Sequence, residues 1–120
     1  MEEISFLKGN REVRENAEQR VNGVILECIE KALEPLGAVA RESIFRLFET
    51  RTGMSKKKIP DNADAFLGHL ENLFGKPATS TLEAAMKREI GKRFAVSNVT
   101  DGNLSSIIKF LKDNIKKSES

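Results

Sequence analysis

The sequence contains no tryptophan and no tyrosine, and it has only one cysteine and one histidine among its 120 residues. Its aromatic side chains are therefore all phenylalanines, without the tryptophan and tyrosine that commonly stack on single-stranded nucleic acid. A single cysteine cannot form an internal disulfide. One cysteine and one histidine also fall short of the ligand set of a structural zinc site. We therefore expect no disulfide and no bound metal.

Long apolar runs are also missing from the chain. None of its apolar stretches approaches the ~18 residues that a membrane-spanning helix requires. The first ten residues, MEEISFLKGN, are acidic and lack the basic start and apolar centre of a secretory signal. We therefore expect a cytoplasmic protein that does not enter a membrane.

Charged residues are abundant but nearly balanced. The formal net charge of +2 is too small to indicate nucleic-acid binding by itself. Its distribution is uneven, because residues 1–35 hold eight acidic and five basic side chains and residues 36–120 hold the basic excess. We expect an acidic first helix on a mildly basic body.

Every strong periodic pattern in the sequence is helical, and no stretch alternates apolar and polar residues as a strand does. The sequence therefore predicts an all-α fold, a compact bundle of about five helices in one domain spanning residues 1–120. Within it we expect an N-terminal segment 1–10, core helices over 11–96, a C-terminal helix over 103–117 and a frayed tail at 118–120.

Proline and glycine mark the expected ends of the helices. The first helix is predicted from Arg11 to Glu34, because Pro35 cannot continue it without losing a hydrogen bond. Gly53 and Gly75 stand where the second and third helices should end, since glycine readily adopts the left-handed conformation of a C-cap.

The connections between helices carry further signals. Ile59 precedes Pro60, so we expect it in extended backbone with its side chain in the core. Asp61 or Asn62 can cap the third helix, and Asn103 is the preferred cap of the last helix.

Each predicted helix has apolar residues three and four positions apart, and we expect these stripes to form the core. The stripes comprise Ala17, Val21, Val24, Ile25, Cys28, Ile29, Ala32 and Leu33; Leu36, Val39, Ala40, Ile44, Leu47 and Phe48; Phe66, Leu67, Leu70, Leu73 and Phe74; Leu82, Ala85, Met86, Ile90 and Phe94; and Leu104, Ile107, Ile108, Leu111 and Ile115. In the last helix, Lys109, Lys112 and Lys116 should point away from this face.

Residues suited to catalysis are few. Ala65 stands one turn before His69, so no carboxylate is placed there to orient the imidazole, and we predict a histidine at the surface or boundary of its helix. Cys28 lies on the apolar face beside Ile25 and Ile29, which predicts a core side chain. Glycine-rich phosphate loops and a GxSxG nucleophile motif are both missing. We therefore expect no enzymatic activity and no cofactor.

Basic residues are the best candidates for binding a partner. We select two groups: Lys56, Lys57 and Lys58 on a loop, and Lys87, Arg88 and Lys92, beside Arg93, on the fourth helix. If both groups faced one way, they would form an electropositive surface for phosphates. Against this, Glu83 and Glu89 stand four residues before basic residues of the same helix, as in exposed ion pairs. Weak nucleic-acid binding is therefore the alternative, and a solvated helix face is the simpler interpretation.

The first helix also suggests self-association. Positions 17, 21, 24 and 28 resemble the a and d positions of a coiled coil. Ile4, Phe6 and Leu7 add an apolar segment upstream. We expect a small five-helix domain to leave some of these residues uncovered. The sequence therefore predicts a homodimer formed through the N-terminal helix, and a further protein partner whose identity it does not indicate.

Several short motifs between Ile29 and Phe94 are similar to a known family. They are ALEPLG (32–37), Ile44 with Leu47, Gly53, KIPDNADAF (58–66), LENLFG (70–75) and LE (82–83). Together they resemble the archaeal Nitrosopumilus output domain family, fifth type, a small helical domain. The link LFGKPATSTLE (73–83) departs from the more glycine-rich link of that family.

The resemblance implies an output module of archaeal signal transduction whose biochemical activity is undefined. It assigns no catalytic or binding residue to this chain, because the matched positions are caps, turns and core residues. From the sequence we therefore expect a non-catalytic protein-interaction module.

Overall fold

The computed structural model describes the backbone of residues 2–95 and 102–119, and the side chains of residues 17–95 and 102–114. In this part of the chain all regular structure is helical, so the prediction of a single all-α bundle is confirmed. The α-helices are α1 (Glu2–Ala32), α2 (Ala38–Thr52), α3 (Ala63–Phe74), α4 (Lys76–Phe94) and α5 (Leu104–Glu119). Two 3-10 helices, Glu34–Leu36 and Lys56–Asp61, lie on either side of α2.

The first helix is longer than the sequence predicted. It begins at Glu2 rather than near Arg11, so residues 2–10 are not a separate segment. Glu2 and Glu3 stand in its first turn, where negative charge is favoured by the helix dipole, and no proline interrupts the chain before Pro35. A helix of 31 residues is about 46 Å long.

The break between α1 and α2 follows from Pro35 and Gly37. Pro35 lies in the 3-10 helix that follows α1, as expected for a residue that cannot extend an α-helix. Gly37 has a φ of 92°, a conformation that side chains rarely adopt, and α2 begins directly after it at Ala38. The predicted stop at Pro35 is therefore confirmed.

The ends of α2 and α3 are also the predicted glycines. Gly53 is left-handed, with φ 75° and ψ 0°, and its N–H donates to the carbonyl oxygen of Glu49 at 2.8 Å. Gly75 ends α3, and its N–H donates to the carbonyl oxygen of Glu71, also at 2.8 Å. α4 begins immediately afterwards at Lys76.

The segment between α2 and α3 differs from the expectation in its backbone. Ile59 is fully buried, as predicted, but it lies in the 3-10 helix and not in extended backbone. The N–H of Lys58 donates to the Ser55 carbonyl and that of Asn62 to the Ile59 carbonyl, which closes the turns on both sides of Pro60. A 3-10 helix admits proline here because its φ suits the fixed proline ring.

The predicted caps had mixed outcomes. Asn103 caps α5, because its Oδ1 accepts the N–H of Ser106 at 2.8 Å. Asn62 occupies the N-cap position of α3 but makes no side-chain cap bond. Its Nδ2 donates instead to the carbonyl oxygen of Lys58 at 2.9 Å. The side chain of Asp61 is likewise directed to α1 and α5, as described below.

The core draws on all five helices and on the second 3-10 helix. Phe66 lies near its centre, with its ring stacked on Phe45 at 5.8 Å and edge-on to Phe48 at 5.4 Å between centroids. The fully or almost fully buried apolar residues are Ile25, Cys28, Ile29, Ala32, Leu33, Ile44, Phe48, Ile59, Ala63, Phe66, Leu70, Met86, Ile90, Leu104, Ile107, Ile108 and Leu111. Most of the predicted stripes of α1, α3, α4 and α5 are therefore confirmed, while Ile115 lies outside the described side chains.

The predicted stripe of α2 is wrong in half of its members. Ile44 and Phe48 are buried, but Val39 is 80% exposed, Leu47 43% and Leu36 37%. Ile44 and Phe48 lie four residues apart and form one line along the helix. Val39 stands five and nine residues before them, which places it on the opposite side of α2. Phe74, predicted to be buried at the end of α3, is also 43% exposed.

Candidate partner-binding site

The structure separates the basic residues that the sequence grouped together. Lys56 is turned toward α1 and α2, where its Nζ lies 3.3 Å from Oε1 of Glu30 and 5.7 Å from the ring centroid of Phe45. Lys57 and Lys58, the next two residues, line a cleft between α1 and the 3-10 helix Lys56–Asp61. The helical turn therefore distributes three consecutive lysines over two surfaces.

The basic residues of α4 are used mainly within the bundle. Nζ of Lys87 donates to the carbonyl oxygen of Gly102 at 3.1 Å. Nζ of Lys92 lies 3.7 Å from Oε1 of Glu89, whose other oxygen lies 3.8 Å from Nζ of Lys31 in α1. Arg88 is exposed to solvent. Of the predicted binding residues on α4, Arg88 is thus the one that the bundle does not engage in a described ion pair or side-chain hydrogen bond.

Carboxylates of α1 lie beside members of both basic groups. Glu30 pairs with Lys56, and Glu27, one turn earlier on the same face, pairs with Arg93 at 3.2 Å. The carboxylates of Glu27 and Glu30 lower the positive potential on the α1 face that lies beside both the loop lysines and the basic residues of α4. A single phosphate-binding surface made of both groups is therefore disfavoured.

Glu83 and Lys87 do not act as the expected exposed pair within α4. Oε2 of Glu83 accepts the N–H of Leu104, the first residue of α5, at 2.9 Å. Nζ of Lys87 donates to the carbonyl oxygen of Gly102, which precedes Leu104 by two residues. The two side chains hold the start of α5 against α4.

A polar network joins α1, the second 3-10 helix and α5 at the edge of the cleft. Nδ2 of Asn22 donates to Oδ2 of Asp61 at 3.2 Å, and Lys112 forms an ion pair with the other oxygen of Asp61. Lys112 was predicted to point away from the bundle, and that prediction is wrong because its side chain reaches across to Asp61. Lys109 is exposed as predicted, and Lys116 lies outside the described side chains.

The cleft itself has a volume of about 750 Å³. It is lined by Glu18, Gln19, Asn22, Gly23, Leu26, Ser55, Lys57, Lys58 and Asp61. Sequence reasoning found the two lysines and missed Asn22 and Gly23. Signals for both are present, because Asn22 stands one turn before Ile25 on the apolar stripe and Gly23 interrupts the interior of a helix.

His69 is a buried helix-to-helix contact and not the predicted surface or boundary residue. It is 4% exposed, and its Nε2 lies 3.0 Å from the carbonyl oxygen of Ile44 in α2. A carbonyl only accepts, so Nε2 carries the proton and donates it. The ring also contacts Phe48 and Phe66, at 5.6 and 6.3 Å between centroids. The sequence missed this role because Ile44 is 25 residues away along the chain.

Cys28 lies in the core, as predicted, and is 2% exposed. Burial raises the pKa of its thiol; the carboxylates of Glu89 and Glu27 act in the same direction, whereas Arg93 and Lys31 oppose them. A buried thiol held in its neutral form is a poor nucleophile.

The described part of the chain contains neither a candidate metal-binding cluster nor a candidate membrane-spanning helix. Its side chains include no cluster of three or more histidine, cysteine, aspartate or glutamate residues that could hold a metal ion. Among its helices, none is both long and apolar enough to cross a membrane.

Comparison with known proteins gives no match to a family model, to a curated protein or to a solved structure. The resemblance to the archaeal output domain therefore stays a prediction that depends on the motifs quoted above.

Proposed function

We propose that this protein is a non-catalytic interaction module that forms a homodimer through the N-terminal half of α1 and binds a further protein. The observation that carries this proposal is the length of α1. α1 has 31 residues, whereas α4, the longest of the other helices, has 19. These lengths correspond to about 46 Å and about 28 Å, so no other helix of the bundle can run along the whole of α1.

The described side chains of α1, residues 17–32, join this part of the helix to the bundle. Asn22, Glu27, Glu30 and Lys31 form ion pairs or side-chain hydrogen bonds with other elements. The N-terminal half contains Ile4, Phe6 and Leu7 in the sequence. Apolar side chains repeated along a helix favour association with another helix.

The coiled-coil pattern in α1 has a different role from the predicted one. Val21 and Val24 pack against the chain's own core, and Cys28 is part of that core. These three positions are therefore occupied within the monomer. In the proposed dimer the contact is supplied upstream, by the apolar residues of the N-terminal half.

Two buried side chains support the absence of catalysis in this proposal. The imidazole of His69 donates to a backbone carbonyl, and the thiol of Cys28 is enclosed by the core. Both are thus committed to packing and hydrogen bonding within the bundle.

The proposed context is archaeal signal transduction, which the family resemblance implies. In that setting the dimer is an output module that presents the helical bundle to a downstream protein. Affinity capture from the native host with the intact chain, followed by mass measurement of the assembly, identifies that protein and its stoichiometry.

Sedimentation velocity tests the dimer directly. We expect the intact chain to sediment as a dimer at micromolar concentration, and the variant Phe6→Glu with Leu7→Glu to sediment as a monomer with unchanged helical circular dichroism. Val39→Glu with Leu47→Glu is the matched control, because it puts the same two negative charges on exposed apolar positions of α2 and should leave the dimer intact. A wild-type chain that stays monomeric at high micromolar concentration contradicts the proposal.

A further inference from the structure

Polar side chains contribute little to the attachment of α2. The helix contains five charged residues, Arg41, Glu42, Arg46, Glu49 and Arg51. None of the five forms an ion pair with a side chain that the structure describes. Among the described contacts, one hydrogen bond joins α2 to another helix, and it is the donation from His69 to the Ile44 carbonyl.

The neighbouring helices are secured in other ways. Lys31 of α1 pairs with Glu89 of α4, and Glu83 of α4 accepts the N–H of Leu104 at the start of α5. α3 relies on burial instead, since four of its 12 residues are buried, whereas α2 buries two of its 15. α2 thus combines few buried residues with few polar links.

The apolar face of α2 supplies most of its attachment. α2 packs mainly against α3 and against the 3-10 helices that flank it. Its Phe45 and Phe48 lie on Phe66 of α3, and Lys56 lies over the outer side of this cluster at 5.7 Å from the Phe45 centroid. The opposite side of α2, which includes Val39, is exposed. α2 therefore covers Phe66 without being enclosed itself.

Both ends of α2 are glycines that can act as hinges. Gly37 precedes the helix with a φ of 92°, and Gly53 follows it with a φ of 75°. A Cβ built on either glycine meets no atom within 4 Å, so neighbouring atoms leave room for the backbone to rotate there. Hinges are a few residues at the ends of elements that absorb large changes in φ and ψ.

We propose that α2 is a lid over Phe66, and that it opens as a unit about Gly37 and Gly53 while α1, α3, α4 and α5 stay folded. Elements with few buried contacts open locally at a lower free energy than the whole chain unfolds. Opening breaks the hydrogen bond between His69 and Ile44 and exposes the ring of Phe66 to solvent. This motion does not depend on the dimer proposed above.

Native-state hydrogen exchange of the intact chain at one fixed protein concentration tests the lid. Ile44 and Phe48 of α2 and Met86 and Ile90 of α4 are all at most 2% exposed, so burial alone predicts equal protection of their amides. The lid predicts that the Ile44 and Phe48 amides share one opening free energy. It also predicts that, after correction for intrinsic rates, they exchange at least about tenfold faster than those of Met86 and Ile90.

A matched pair of substitutions separates opening of α2 from global unfolding. Ile44→Val and Ile108→Val each remove one methylene from a buried site, the first in α2 and the second in α5. We expect Ile44→Val to speed exchange at Phe48 about two- to tenfold, because it weakens the contact that opening breaks. Ile108→Val should speed exchange at Met86 and Ile90, which requires global unfolding, and leave Phe48 unchanged.

Three results would overturn the lid. The first is equal protection of the buried amides in α2 and α4. The second is faster exchange at Phe48 in Ile108→Val by the same factor as at Met86, because α2 would then open only when the whole chain unfolds. The third is exchange at Phe48 that Ile44→Val does not change, because the helix would then fray residue by residue without leaving α3.

Discussion

At the scale of single residues, the two side chains with the most reactive chemistry are part of the packing between helices. His69 joins α3 to α2 through the Ile44 carbonyl, and Cys28 lies in the core. Cys28 could be predicted because its apolar neighbours stand one turn away on its own helix. His69 could not, because its environment is formed by α2, and residues near it along the chain carry no information about that helix.

Replacing His69 measures this contact. We expect His69→Ala to lower the free energy of unfolding by about 2–3 kcal/mol, because it removes a buried hydrogen bond and leaves a cavity against Phe48 and Phe66. Urea denaturation gives the value, and Ser43→Ala, an exposed change on α2, should stay within about 0.5 kcal/mol of the wild type. A similarly small loss for His69→Ala would indicate a surface histidine and would contradict the contact with Ile44.

The raised pKa of the Cys28 thiol predicts that the folded chain loses stability at alkaline pH. Burial raises the pKa of its thiol in the folded chain, so the unfolded thiol, with its ordinary pKa of about 8.5, ionises first. The unfolded state then binds fewer protons, and the free energy of unfolding falls as the pH rises above that value. Below the pKa of the unfolded thiol, Cys28 is protonated in both states, and its contribution to the free energy of unfolding is fully present.

The measurement is urea denaturation of the wild type and Cys28→Ala between about pH 7 and about pH 9.5. Lysine ionisation is common to both chains, so the difference between their pH slopes isolates the thiol. We expect the slope of Cys28→Ala to be flatter. Parallel slopes would show that the thiol ionises equally in the folded and unfolded states.

At the scale of the elements, the sequence predicts where helices end better than where they begin. Pro35, Gly53 and Gly75 act through their own backbone conformations, which do not depend on distant residues. The start of α1 carries no comparable signal, since acidic residues favour a first turn without requiring one. Val39 shows a second limit, because an apolar residue spaced like its neighbours can still lie on the side of a helix that no other element covers.

The start of α5 depends on side chains from α4. Glu83 accepts the N–H of Leu104, and Lys87 donates to the Gly102 carbonyl. We expect Glu83→Ala to destabilise the chain by about 1 kcal/mol, comparable to the loss of a helix cap. Amide exchange should also become faster across the first turn of α5.

Glu49→Ala is the appropriate control for that experiment. Glu49 is exposed on α2 and has the same side chain. Its replacement should change neither the stability nor the exchange of α5. Equal effects of the two substitutions would show that Glu83 contributes only charge and not a specific hydrogen bond.

At the scale of the whole molecule, the all-α fold and most of the core could be predicted from helical periodicity. The arrangement of the surface could not. Whether Lys56, Lys57 and Lys58 face one way depends on the turn that contains them, and the sequence predicted extended backbone at Ile59 where a 3-10 helix forms. The cleft beside Gly23 likewise depends on how α1 meets that helix.

The proposed dimer is the central claim at this scale, and it assigns different roles to the two halves of α1. The C-terminal half belongs to the core of the monomer. The N-terminal half extends the helix beyond the length of the other elements. Only the N-terminal half should therefore respond to association.

Hydrogen exchange of the intact chain at two protein concentrations, one below and one above the association midpoint, measures this response residue by residue. The account predicts that amides of residues 2–17 become more protected at the higher concentration while those of residues 25–32 stay unchanged. Exchange across residues 2–17 that does not depend on concentration, in a chain that sediments as a dimer, would contradict it.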